Sequence, residues 1–348
     1  MTPSGPPISN GQPLTEPGAI HALMSGLIDY AGLFPPAKLS MVAAVSNYAK
    51  YAASTDAWML GRFILPVSKI EEFRKASASH LSKRWSEEED GGGAWPISAI
   101  IDGDLNEDLD SVFAFNTEHA EEKNGLAVID AIEIKVPPTS ETDPAPSLGF
   151  IEAALEIMAE GVYPFFELPV VRVTRLSEPG SSSSSSESFP DLRGAIAALS
   201  GADAGAKVRT GGITSAAIPS SRAVAEFIVA CAQADVPFKA TAGLHHAIRA
   251  EHPLTYEPNC PRAVMHGFLN VFIAAAMVQE YRIDAEATAK ILEEPDARKF
   301  LITPDTLAWG PGQVGIESLE RTRELFALSY GSCSFDEPVQ ELRALKLI

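Results

Sequence analysis

Lys207 and Lys239 each stand in a short run of strand character that opens into a turn containing Thr and Gly. The runs are Ala206-Lys207-Val208-Arg209-Thr210-Gly211-Gly212 and Pro237-Phe238-Lys239-Ala240-Thr241-Ala242-Gly243. The amphipathic stretch from Ser221 to Asp235 lies between them, which reads as a strand–helix–strand unit with a lysine near the C-terminal end of each strand. In α/β barrels those ends carry the chemistry. Two ammonium groups brought close in a partly dry pocket disfavour each other's charge, and one can become a neutral amine near pH 7. A neutral amine attacks carbonyl carbon, so the chemistry implied is Schiff-base formation. A carboxylate facing that amine could shuttle the protons of carbinolamine formation and of deprotonation at the neighbouring carbon.

The elements that must position these lysines alternate along the chain. Strand-like runs fall at Leu27–Leu33, Met59–Pro66, Pro96–Asp102, Ile129–Val136, Tyr163–Val170, Ala206–Gly211 and Pro237–Ala242, with a short eighth near Val264–Gly267. Several are almost continuously apolar, as strands covered on both faces should be. Helical patterns intervene, among them Lys38–Ala53, Ser68–Leu81, Leu105–His119, Ser147–Glu160 and Ser221–Ala234. The pattern predicts a (β/α)8 TIM barrel over residues 19–280. Residues 1–18 read as a flexible tail, and the serine run near 178–188 as a disordered loop. Residues 281–348 read as a mainly helical C-terminal extension packed on the barrel, with a helix over Ile316–Leu328.

Read together, the strand ends resemble those of deoxyribose-phosphate aldolase, a class I aldolase family with a (β/α)8 barrel. The family's first strand carries Leu-Ile-Asp before a proline-containing turn, matched here by Leu27-Ile28-Asp29 and the segment to Pro36. Its fourth strand ends in an acidic residue before an apolar-Pro step. Ala131-Ile132-Glu133-Ile134-Lys135-Val136-Pro137 corresponds, with Glu where Asp is usual. The glutamate ending the fifth strand is matched by Phe166-Glu167-Leu168, and the lysine runs of the sixth and seventh strands by those containing Lys207 and Lys239. The resemblance covers roughly 27–277. It implies Lys207 as the imine-forming amine, Lys239 as the group that lowers its pKa and joins a proton relay, and Asp29 and Glu133 as residues that position protons and water.

The chain departs from the family where phosphate would be gripped. After the seventh strand it reads Gly243-Leu244-His245-His246-Ala247-Ile248-Arg249, and after the expected eighth Met265-His266-Gly267-Phe268. Backbone N–H groups at Gly267 and the following helix N-terminus could still hold an anion. Lys135 and Arg209 add positive charge, consistent with an anionic substrate bound also by Glu167, Thr210, Gly211, Gly243, His245 and His266. A second reading is a metal-dependent lyase or isomerase using His245 or His246 with His266 and carboxylates such as Glu133, Glu167 and Asp102. Neighbouring histidines on a regular strand face opposite ways, so only one of His245 and His246 could point inward. A third reading is a non-catalytic protein that binds a small anion. The leading expectation is a class I aldolase-like carbon–carbon lyase that needs neither cofactor nor metal.

Composition sets the outer limits. The 348 residues are 46% hydrophobic and 21% charged, an ordinary globular balance. A formal net charge of −19 argues against nucleic acid or an anionic membrane as partner, leaving a small-molecule substrate. Cys231, Cys260 and Cys333 fit no disulfide or metal spacing, which suits reduced thiols in a cytoplasmic protein. The acidic surface permits a homo-oligomer, but no residue specifies one.

Overall fold

The computed structural model describes residues 18–87, 94–121, 126–137, 145–158, 161–170 and 192–348. The tail at 1–17 and the serine run at 178–188 lie outside them. After a short helix α1 (Ala19–Met24), strands and helices alternate as β1 (Ile28–Tyr30), α2 (Met41–Ala52), β2 (Leu60–Pro66), α3 (Ile70–Glu87), β3 (Trp95–Ile100), α4 (Leu105–Glu121) and β4 (Ala127–Lys135). The alternation continues with α5 (Ala145–Glu156), β5 (Tyr163–Leu168), α6 (Arg193–Leu199), β6 (Gly205–Arg209), α7 (Ser221–Gln233) and β7 (Phe238–Thr241). Side-chain caps start two of the crossover helices: Ser40 accepts from the Ala43 amide before α2, and Ser220 from the Ala223 amide before α7.

The barrel is closed by a strand from much later in the chain. Between β7 and that strand come an antiparallel hairpin, β8 (Ala250–Pro253) with β9 (Arg262–Met265), and the helices α8 (Phe268–Tyr281) and α9 (Ala285–Leu292). An antiparallel sheet of β10 (Phe300–Ile302), β11 (Thr306–Trp309) and β12 (Gly312–Gly315) follows, then α10 (Ile316–Leu325). The closing strand β13 (Ala327–Ser332) pairs in parallel with β7 on one side and β1 on the other, and α11 (Asp336–Ala344) follows it. All eight barrel pairings are parallel, giving a closed (β/α)8 barrel with additional C-terminal elements.

Two expectations are corrected here. The eighth strand is not at 264–267: β9 lies outside the barrel, and its Arg262 and Val264 face solvent. A run this short and half exposed cannot be a strand covered on both faces. The boundary at 280 likewise falls inside the fold, because residues 327–332 complete the barrel and the segment before them is an insertion containing its own sheet. The helical period expected over 316–328 masked the change. Helix α10 ends at Leu325, Phe326 leaves the helical region, and the buried run of β13 begins at Ala327.

The insertion is packed rather than appended. Every residue of α8 from Phe268 to Val278 is buried, which accounts for its apolar sequence. No helix among the described residues is long and apolar enough to cross a membrane. Inside the barrel, the Phe165 ring lies over β6 at Gly205, where a Cβ would come within 2.8 Å of the ring. Glycine at 205 therefore admits the aromatic ring on which the polar interior rests.

A chain ended at Glu280 lacks the closing strand and should show no cooperative thermal transition by circular dichroism. A cooperative melt from that fragment would mean that β13 is dispensable.

Candidate active site

In a strand, residues two apart share a face, so the inward positions of the barrel follow from register. Glu133 on β4, Glu167 on β5, Lys207 on β6 and Lys239 on β7 all point inward near the C-terminal ends, with Cα register linking Glu167 to Lys207 and Lys207 to Lys239. Asp29 on β1, Ser98 on β3 and Ser329 on β13 complete the ring.

These side chains form one connected network. Lys239 Nζ donates to Asp29 Oδ2 at 2.8 Å and to Glu133 Oε1 at 2.6 Å. Lys207 Nζ meets the other oxygen of the same carboxylate, Glu133 Oε2, at 2.5 Å and Glu167 Oε2 at 2.7 Å. Glu133 thus bridges the two lysines. Ser98 donates to Glu133 Oε1 at 2.8 Å, Ser329 to Asp29 Oδ2 at 2.7 Å, and the Arg62 amide to Asp29 Oδ1 at 2.8 Å. Lys239 also lies 5.3 Å from the centroid of the Phe165 ring. Asp29 and Lys239 are fully buried, Glu133 is 2% exposed and Lys207 4%.

The electrostatics correct one expectation. Burial opposes the charge of Lys207, but the attraction of Glu133 and Glu167 outweighs it and holds the ammonium above its ordinary range. Lys239 does not leave Lys207 neutral, because Glu133 stands between the two. Burial also opposes the charge of Glu133, and Lys207 and Lys239 together overcome it, holding the carboxyl well below the usual range. The resting network is a set of paired ions.

Above it opens a cavity of about 610 Å3 at the C-terminal ends of the strands. Glu133, Glu167 and Lys207 line it, whereas Asp29 and Lys239 lie behind them and do not. Of the two predicted lysines, only Lys207 can reach a ligand. Lys135 and Arg209 line the cavity nearer its mouth, both exposed. Thr210 is buried and donates to the Ala242 carbonyl at 2.7 Å, so its hydroxyl ties the end of β6 to the turn after β7. The turns meet where a Cβ on Gly211 would be 2.9 Å from the Gly243 Cα, and Gly243 has φ of +78°. Glycine is required at both places for the two chains to touch.

The histidines separate. His245 lines the cavity, and burial together with His246 lowers its pKa to about 4, which keeps the imidazole neutral at pH 7. Its Nδ1 lies 3.4 Å from Ser332 Oγ and 3.7 Å from Cys333 Sγ. His246 turns away to Glu341 at 2.6 Å. His266 and Gly267 do not reach the cavity, contrary to expectation. His266 is fully buried with Nε2 2.9 Å from the Pro219 carbonyl, and the helix N-terminus after Gly267 is closed because the Phe268 and Leu269 amides donate to the His246 and Ala247 carbonyls. The histidine–carboxylate set of the metal reading is therefore not assembled, and among the described residues no three His, Cys, Asp or Glu side chains are grouped to hold a metal ion.

Sequence reasoning missed Ser98, Ser329 and Cys333. A small polar residue inside an apolar strand was the available signal for Ser98. Ser329 and Cys333 were hidden with their strand. The chain matches no known family model, curated protein or solved structure. Function must be argued from the site, since a barrel hosts many chemistries.

Removing one member of a buried ion pair strands its partners. Lys239→Met leaves Asp29 without its ion-pair partner and Glu133 with Lys207 alone, and should cost about 3–5 kcal/mol in urea unfolding at pH 7. The sign of the pH dependence follows from the shifts. The stability from Glu133, whose folded pKa is depressed, is present above its ordinary 4.5 and lost as pH falls through the folded value. That from Lys207, whose folded pKa is raised, is present below its ordinary 10.5 and lost as pH rises through the folded value. A unfolding free energy that is flat below pH 4.5 would contradict this network.

Proposed function

We propose that this protein is a class I aldolase-type lyase that makes or breaks a carbon–carbon bond in a small anionic carbonyl compound through an imine on Lys207. One observation carries the reading: a lysine at the floor of a barrel cavity touches two carboxylates, both of which also line the cavity. The motif-level resemblance to deoxyribose-phosphate aldolase points the same way.

The resting ammonium must lose a proton before it can act. Glu167 Oε2, 2.7 Å away and lining the cavity, is the base within reach. Glu133, held anionic by two lysines, is the weaker base and serves to orient Lys207. With its proton on Glu167, the Lys207 nitrogen attacks the carbonyl carbon while the C=O π pair moves to oxygen, which takes the proton back from Glu167. The carbinolamine loses its hydroxyl with one further proton as water, leaving an iminium. Loss of a proton from the adjacent carbon to a carboxylate gives the enamine. That carbon then bonds to the carbonyl carbon of an aldehyde, whose oxygen takes up the proton. Water adds to the iminium, the C–N bond breaks, and Lys207 is restored. The same steps in reverse cleave the bond. Lys239 and Asp29 act from behind the floor, fixing Glu133.

A second reading, binding of a small anion without turnover, draws on the paired, protonated state of Lys207. It differs in giving saturable binding with no covalent adduct.

Incubation with a pool of small aldehydes and ketones followed by borohydride should leave a secondary amine on Lys207, mapped by peptide mass spectrometry, and Lys207→Ala should abolish it. A label on Lys135 or Lys239 instead would overturn the assignment. Trapping should accelerate with rising pH, because the raised pKa leaves little free amine at neutrality. Glu167→Gln removes one attracting carboxylate, so the pH profile of trapping should move down in pH. Turnover should nonetheless fall about 10²–10⁴-fold as the proton acceptor is lost. An unchanged profile would remove Glu167 from this role.

A further inference from the structure

The charged groups of the cavity lie on or just after β3, β4, β5 and β6. Glu133, Glu167 and Lys207 pair with one another, and Asp102 is turned to Ser68, accepting from its amide at 3.0 Å and its hydroxyl at 2.6 Å. Two charges remain for a ligand. Arg209 is half-exposed, with Nη1 no closer than 4.0 Å to Glu167, and Lys135 is exposed with no ion pair among the described residues. Lys135 lies two residues beyond Glu133 on β4, and Arg209 two beyond Lys207 on β6. Both are therefore inward positions one pleat nearer the mouth, roughly 7 Å above the amine and its carboxylate. An anion held by this pair would stand about five bonds along an extended chain from a carbonyl carbon at Lys207.

Most of the rest of the wall is hydrocarbon, with Thr241, His245 and Cys333 as its polar members. Ile64, Ile100 and Ile101 line it from β2 and the end of β3, while Ile213, Leu254 and Met265 line it from beyond β6 and from the β8–β9 hairpin. Among the described residues, no Asn, Gln or Ser side chain lines the cavity. A polyhydroxylated chain lying along the isoleucine side would give up more hydrogen bonds to water than that side can replace. A hydrocarbon or aryl body of the same length would gain from removing apolar surface from water on both sides.

We infer that the ligand is an amphipathic oxo acid or phosphate: a carbonyl carbon at Lys207, a hydrocarbon or aryl body between the isoleucine walls, and an anionic group on Lys135 and Arg209. The inference rests on the aldolase-type reading for the place of the carbonyl and on the lining alone for the body and the anion. Its test avoids the carbonyl. Titration calorimetry of the full chain compares 4-phenylbutanoate with gluconate, two monocarboxylates that differ in the chemistry of the body.

The aryl acid should bind at least about tenfold more tightly, as expected from burying a ring in an apolar slot. Ile213→Asn, an uncharged polar change at an exposed wall position, should shrink that preference by weakening the aryl acid more than gluconate, with folding checked by thermal melting. Arg209→Ala should weaken both. Equal or tighter binding of gluconate, no binding of either acid, or aryl-acid binding insensitive to Ile213→Asn would overturn the inference. Neither probe can form an imine, so failure to trap Lys207 bears on the proposed chemistry and leaves this result separate.

Discussion

The barrel interior is organised around a single carboxylate. Glu133 offers one oxygen to Lys207 and the other to Lys239, and the second lysine reaches on to Asp29. Ions taken this far from water persist only where each is paired and its remaining hydrogen-bonding capacity is met. Ser98, Ser329 and the Arg62 amide meet it here. These contacts join β1, β3, β4, β6, β7 and β13 across the barrel axis, so the position of Lys207 is set in part by Asp29 and Lys239, side chains that lie behind the cavity floor. Phe165 below and the cavity above divide the interior into a hydrocarbon base, an ionic layer and a ligand space.

Much of this was legible in the chain, for physical reasons. Runs buried on both faces announce themselves as continuous apolar stretches, so seven strands were found within a few residues of their observed positions. Because the period of a strand is two, Glu133 and Lys135, or Lys207 and Arg209, had to share a face once the strand was recognised. What could not be read was pairing across the barrel. Two nearby lysines suggest mutual repulsion when only their own strands are considered. The sign of the effect reverses once Glu133 from β4 is inserted between them, and nothing local to residues 207–239 carries that information.

The closing strand was illegible for a different reason. Leu325, Phe326, Ala327 and Leu328 continue the apolar period of α10 while beginning the buried run of β13, and either element suits them locally. Tertiary closure decides the matter, since only a strand at this place can satisfy the exposed edges of both β1 and β7. With that strand misplaced, Ser329, Cys333 and the neighbourhood of His245 were lost from the site, and His266 and Gly267 were given a role at the barrel mouth that they do not have.

The insertion between β7 and β13 also bears on the order in which the molecule can be assembled. Ser329 donates to Asp29 from 300 residues further along the chain. Contacts of such separation carry the full entropy of loop closure before they return any stabilisation, and proteins dominated by them fold slowly. Until residues 327–332 arrive, β1 and β7 remain open sheet edges, the kind of surface on which partly folded chains associate. Asp29, already held by the Arg62 amide, gains the Ser329 hydroxyl only with that last pairing. A half-made barrel of this type therefore leaves the acidic partner of Lys239 open to water.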